Sequence, residues 1–205
     1  MRVAISGTHC CGKSTLIDEF LLAHPGFGHE PEPYEALQEE YGETFAADPC
    51  AEDFYQQLEY NVGRLRQYRP GDRVIYERSP ADYLAYMFAI AELGRDRDAS
   101  RVIENSLGMA EEAIHLLDVV VFLPGNDLHI EVPGSEDPEL RSAMDTRLEG
   151  IIIDDALGWF EANHPVVLKA SGTTTQRLQT IESEIIERAS VPRLSFDRSG
   201  RSRRC

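Results

Sequence analysis

The spacing of apolar positions along this chain switches repeatedly between two periods. Arg2 to Ser6 holds the run Val3-Ala4-Ile5, which reads as a short buried strand ended by Gly7. Lys13 to His24 then sets Leu16, Ile17, Phe20 and Leu21 on one stripe at helical spacing, and Pro25-Gly26 closes the helix. Phe27 to Pro31 predicts a second strand and Pro33 to about Phe45 a helix. Further helices are predicted over Glu52 to Arg69, Pro80 to Leu93 and about Ala99 to Leu117, with a strand at Arg73 to Tyr76. Asp118 to Leu123 is the plainest strand. Pro124 to Asp137 is a polar loop, after which Asp137-Pro138-Glu139 supplies an N-cap, a first-turn proline and an acid. That helix is expected to run to about Ala162, followed by a strand at Val166 to Lys169 and a last helix ending near Ala189.

Strands that alternate with helices predict an α/β fold with a mostly parallel sheet. The length, 205 residues, suits one domain with a real core. No stretch approaches the roughly 18 uncharged apolar residues of a membrane span, and the first apolar run is too short for a signal peptide. A cytoplasmic protein without membrane contact is the expectation. The net charge of -16 argues against duplex nucleic acid, whose phosphates are bound by clustered Lys and Arg. Arg198, Arg201, Arg203 and Arg204 stand apart in a Ser/Gly-rich stretch, so 191–205 is expected to be a solvated basic tail. Cys10, Cys11, Cys50 and Cys205 make neither a disulfide framework nor a zinc spacing, and no histidine pair adds a metal site.

The chemistry begins at Gly7-Thr8-His9-Cys10-Cys11-Gly12-Lys13-Ser14, which fits the phosphate-loop pattern G-x-x-x-x-G-K-[ST], with Thr15 next to it. The glycines let successive N–H groups turn inward toward an anion, and the following helix aims its positive end at the same place. Lys13 would reach the β- and γ-phosphates of ATP, and the Ser14 hydroxyl would take Mg²⁺. The required context, a strand before and a helix after, is present. His9, Cys10 and Cys11 fill the variable positions, where the backbone does the binding. No N-K-x-D guanine motif occurs, DVVVFLPG lacks the acid of a motor ATPase, and Asp154-Asp155 lies in a predicted helix.

VIYERSPADYLAY, residues 74 to 86, narrows the choice. Its strand ends in Glu77-Arg78-Ser79 and a helix follows. The segment resembles the deoxynucleoside kinase and thymidylate kinase branch of the P-loop proteins. The resemblance implies a single three-layer kinase domain over 1–190, with a five-stranded parallel sheet in the order 2-3-1-4-5 and helices on both faces. It implies that Glu77 supports Mg²⁺ and that Arg78 touches phosphate or acceptor. His29-Glu30-Pro31-Glu32-Pro33-Tyr34 is similar to the family's Glu-Pro segment, which makes Glu30 the candidate base on the acceptor hydroxyl. Gln56 or Gln57 would read the base of a nucleoside. A lid near 124–147 would bring Arg141 and Arg147 over the transferring phosphoryl, and Ser171-Gly172-Thr173 would lie by the adenine.

The expected activity is transfer of the ATP γ-phosphoryl to a small-molecule acceptor, a nucleoside or nucleotide. A nucleoside monophosphate would need extra positive charge, for which Arg64, Arg66 and Arg69 are candidates. A non-nucleotide metabolite remains open as the acceptor. The rival reading is a regulatory ATPase without an acceptor. A homodimer through the helical faces from Glu52 to Leu117 is also plausible.

Overall fold

In the computed structural model, residues 1–34, 36, 37, 49–125, 137–160 and 164–190 are described. Five parallel strands make one sheet: β1 (Arg2–Ser6), β2 (Gly28–Glu30), β3 (Val74–Glu77), β4 (Val119–Phe122) and β5 (Val166–Lys169). Their order is β2-β3-β1-β4-β5, as the resemblance implied. The register pairs Ile5 with Glu77 and Ser6 with Phe122. The strand ends that meet at the phosphate loop are therefore those of β1, β3 and β4.

Among the described residues, these helices pack with the sheet: α1 (Lys13–Ala23), α2 (Ala51–Gln67), α3 (Pro80–Glu92), α4 (Ala99–Ile114), α5 (Pro138–Ile152) and α6 (Thr174–Ser190). Side chains alternate across a pleated strand, and the core divides accordingly. Val3 and Ile5 of β1 join Val119 and Val121 of β4 against Leu16, Ile17 and Phe20 of α1 and Ile181 of α6. Ala4, Tyr76, Val120 and Phe122 face the other way, onto α2, α3, α4 and α5. Helix α3 runs through the middle of that larger layer with Ala81, Leu84, Ala85, Met87 and Ala89 all buried. Its lack of a polar stripe is what a helix enclosed by neighbours requires.

Two element ends differ from the expectation for physical reasons. Strand β3 runs one residue further, to Glu77, because Glu77 still pairs with Ile5 before Arg78 turns to φ 74. Helix α5 stops at Ile152 instead of Ala162. Asp155 adopts φ 50, and its carboxylate accepts from the Trp159 and Phe160 N–H groups at 2.7 and 3.1 Å. Aspartate tolerates this left-handed turn and bonds its own backbone, so it competes well with helix here. The turn seats Trp159 in the core. Pro33, Tyr34, Ala36 and Leu37 are helical, and the rest of that predicted helix lies outside the described residues. So do most of the loop at 124–137 and the whole 191–205 segment. Among the described residues, no helix is long and apolar enough to cross a membrane.

Candidate active site

The turn after β1 is built by backbone that only small residues can follow. Gly7 sits at φ 157, and a Cβ there would lie 2.6 Å from Cys11 Sγ and 2.8 Å from the Leu123 carbonyl. The loop then enters α1 through Gly12, at φ 87, without a side-chain cap. The first N–H groups of α1 are thus left facing the loop, as anion binding needs. Lys13 is buried and its ammonium donates to the Thr8 carbonyl across the loop at 2.9 Å. Thr8 is fully buried, while Cys10 and Thr15 border the open side. Cys11 is packed under the loop, and burial pushes its thiol pKa up. It is a free, buried cysteine that packs beneath the loop.

Ser14 donates its hydroxyl to Glu77 Oε1 at 3.0 Å. Burial pushes the Glu77 carboxyl up, and Lys13 opposes that shift. A hydroxyl and a carboxylate converging beside a buried ammonium are a fitting donor set for Mg²⁺ on a phosphate chain. The cavity here has a volume of about 470 Å³ and is lined by His9, Lys13, Ser14, Glu32, Tyr34 and Glu77 among others. A larger depression of about 990 Å³ lies at the opposite ends of the strands, beside Arg2, Arg73 and Asp118, and holds none of these groups.

Arg78 is 1 % exposed and lies behind the cavity, bonded to two of its lining residues, Glu32 and His9. Its guanidinium donates to Glu32 Oε1 at 2.5 Å, to the Gly7 carbonyl at 3.0 Å and to His9 Nε2 at 3.1 Å. It also lies 5.3 Å over the Tyr86 ring, which stacks on Phe54 at 4.4 Å. Since arginine only donates, His9 must accept through Nε2. Burial and then Arg78 lower the His9 pKa to about 3, so the imidazole is neutral. Glu32 is governed by a contest. Burial alone would raise its pKa, but Arg78, helped by Lys13 and His9, outweighs burial and holds it at about 2.

Several sequence-derived assignments change. Glu30 does not join the cavity. It is 5 % exposed and held by Arg64 through two hydrogen bonds, at 2.7 and 2.6 Å, with Tyr68 donating to the same carboxylate. The acid at the cavity is Glu32, two residues on. Arg147 does not join either: it pairs with Glu92 at 2.8 Å on the surface. Arg141 does reach the phosphate loop, donating to the His9 carbonyl at 3.0 Å and the Gly125 carbonyl at 2.8 Å. From the same helix, Asp145 accepts from the Gly125 N–H at 3.1 Å. Gly125 is pressed so closely between Thr8 and Asp145 that a Cβ would meet each at 2.9 Å. Arg64 is taken by Glu30, and Arg66 pairs with Glu112 outside. Gln57 is buried and donates to the Asp53 carbonyl, whereas Gln56 is exposed.

Three participants were not legible in the chain. Glu32 had the same local motif as Glu30. Asp82 carries no local signal beyond its place in the first turn after Ser79. Arg177, buried on α6, donates to the Cys11 carbonyl at 2.6 Å from 166 positions away, and no local pattern announces it.

The comparisons with known proteins agree with this geometry. A family model described as an AAA domain matches residues 2–177, and the chain belongs to that family. Among solved structures, deoxyadenosine kinase from M. mycoides with products dCMP and a flexible dCDP bound matches at 19% identity and TM-score 0.65. The match covers 91% of this chain and 99% of that one. The same kinase with bound dATP matches at 15% identity and TM-score 0.62, over 91% and 100% of the two chains. NadR protein in complex with NAD and AMP-PNP matches at 14% identity and TM-score 0.61, over 95% of this chain but 51% of NadR. At these identities the likeness is one of fold. No curated protein matches the sequence.

Proposed function

We propose that this protein is an ATP-dependent kinase that phosphorylates the hydroxyl of a nucleoside. One observation carries the reading: Glu32, paired with the buried Arg78, lines the same cavity as Lys13, Ser14 and Glu77. A carboxylate that lines the cavity beside the phosphate loop, with a guanidinium behind it, can accept from and orient an acceptor hydroxyl, which supports the kinase reading. The fold shared with deoxyadenosine kinase, whose structures hold bound deoxynucleotides, supports the acceptor class.

The roles follow from position. The loop N–H groups from Gly7 to Thr15 and the Lys13 ammonium would hold the phosphates, and Ser14 with Glu77 would hold Mg²⁺. Mg²⁺, when bound, neutralises charge on the phosphate oxygens. Glu32 would accept the acceptor hydroxyl and Arg78 would orient it and offset charge on the moving phosphoryl. A low Glu32 pKa does not disqualify it. In a loose phosphoryl-transfer transition state the hydroxyl keeps its proton until late, so aiming it matters more than base strength. Arg141, whose guanidinium donates to the His9 carbonyl of the phosphate loop, is the better of the two lid candidates. The described part of 1–190 would act as one kinase domain.

The charge balance favours a nucleoside over a nucleoside monophosphate. Arg78 already faces Glu32 and Asp82, Arg64 is neutralised by Glu30, and Arg66 lies outside. An added phosphate on the acceptor would meet no uncommitted cation among these.

The test is ADP formation by the purified protein with Mg²⁺ and ATP, alone and with nucleosides, nucleoside monophosphates and small alcohols, with products identified by mass. Stimulation by a nucleoside together with a product heavier by one phosphate supports the reading. Steady hydrolysis that no acceptor alters overturns it in favour of a regulatory ATPase.

A further inference from the structure

One buried carboxylate beside the site has no role in the reaction just described. Asp82 is fully buried on the first turn of α3. Its Oδ1 accepts from the Gly7 N–H at 2.9 Å and lies 3.6 Å from Arg78 Nη1. Its Oδ2 accepts from the Ser79 N–H at 2.8 Å and the Ser79 hydroxyl at 3.0 Å. That hydroxyl in turn accepts from Ser6 Oγ at 2.8 Å. Arg78 Nη1 donates to the Gly7 carbonyl, so both backbone polar groups of Gly7 are gripped by the Arg78–Asp82 pair.

Arg78 thus stands between two carboxylates of different kinds. Glu32 is on the cavity side and partly open, at 16 % exposure, while Asp82 is shut away behind at 0 %. The other groups facing Arg78 are the rings of Tyr83 and Tyr86 from α3 and the neutral His9 of the loop. Glu32 can turn to an acceptor hydroxyl only if the guanidinium stays compensated when it leaves. A buried, uncompensated charge would hold Glu32 back.

We propose that Asp82 is the standing counter-ion of Arg78, and that it frees Glu32 for the acceptor while keeping Arg78 in register with the phosphate loop. Asp82 touches neither phosphate nor acceptor and is a positioning residue. The proposal rests on the nucleoside-kinase reading and adds a residue to it. Without the Asp82 charge, Glu32 is left as the ion-pair partner of Arg78, with Glu77 acting only at longer range, and every acceptor has to break that pair. Donor binding, which relies on Lys13 and the loop N–H groups, is left nearly as it was.

The experiment compares wild type, Asp82→Asn and Ser79→Ala. Each is measured for ADP affinity by calorimetry, for nucleoside kcat/KM, and for ADP formed per phosphorylated product. Asp82→Asn should bind ADP within roughly threefold of wild type yet lose roughly 30- to 100-fold in nucleoside kcat/KM. Its ADP-to-product ratio should rise above that of wild type. Ser79→Ala loses the same cap hydrogen bond but keeps the charge pair, and should hold nucleoside kcat/KM within roughly threefold. Equal losses in both variants, parallel losses of ADP affinity and acceptor turnover, or no loss at all overturn the role of Asp82. Should Asp82→Asn not fold, Asp82→Ser, which removes the charge with a smaller polar side chain, carries the same expectation. Failure of both to fold assigns Asp82 to stability and overturns the proposal. Wild type that phosphorylates no nucleoside overturns the kinase reading itself, a result distinct from kinetics unchanged by the substitution.

Discussion

Glu30 and Glu32 stand two residues apart, each beside an arginine, yet one staples the fold and the other faces the site. Glu30 closes the edge strand β2 onto α2 through Arg64 and Tyr68. Three donors from its own chain hold it, two from Arg64 and one from Tyr68. Glu32 has a single strong partner, Arg78, and borders the cavity. A carboxylate held this way by its own chain stabilises. One with capacity left over can accept from a ligand. The clamp at Glu30 also sets where the chain leaves the sheet, so it decides indirectly where Glu32 arrives.

The sharpest way to break this contrast is to remove charges one at a time and read phosphorylated product and stability separately. Lys13→Ala should have the largest effect, a loss of about 10³-fold in kcat in the acceptor-dependent ADP assay. Glu32→Gln should follow, lowering kcat by about 10²- to 10³-fold, the usual contribution of a positioned acid–base group. Retained turnover in Glu32→Gln would return the role to another group. Arg141→Ala should cost about tenfold in kcat, because one phosphate-facing donor is lost from a site with others. Arg147→Ala should leave kcat within about twofold, since its partner Glu92 is half-exposed and such pairs contribute little.

Glu30→Gln should reverse the pattern. Arg64 is 34 % exposed, so the pair is only partly shielded, and the expected loss is about 1–3 kcal/mol in urea unfolding with kcat changed less than about fivefold. A smaller effect concerns His9. The unfolded imidazole takes a proton near pH 6.5, whereas the folded one resists until about 3. Between those values the unfolded state binds more protons, so stability falls as the pH drops. From pH 6.5 to 5 the His9 contribution should be about 1–2 kcal/mol, and His9→Gln should show a correspondingly smaller drop.

Much of this was legible because it is local. The loop from Gly7 to Ser14 specifies its own backbone, and its glycines, lysine and serine lie where the pattern places them. The period changes revealed the strands and most helix spans, since burial on one face of a helix or both faces of a strand is written in spacing. Ser79-Pro80 and Asp137-Pro138 marked two helix starts for the same reason, with Asp137 accepting from the Glu139 and Leu140 N–H groups.

The sequence by itself determined the class of fold, the phosphate loop and the acid–arginine strand end, because each depends on residues within one turn or strand of one another. Only the tertiary structure decided which glutamate meets Arg78, which lid arginine meets the loop, and that Asp82 and Arg177 grip the loop from behind. Those choices depend on contacts between elements 46 to 166 residues apart, such as Arg78 with Glu32, Gly7 with Asp82, Arg141 with His9 and Arg177 with Cys11. Spacing along a chain carries no record of which of two equally acidic neighbours will be saturated first. That is decided when α2 packs on the sheet edge and brings Arg64 to Glu30, leaving Glu32 for Arg78.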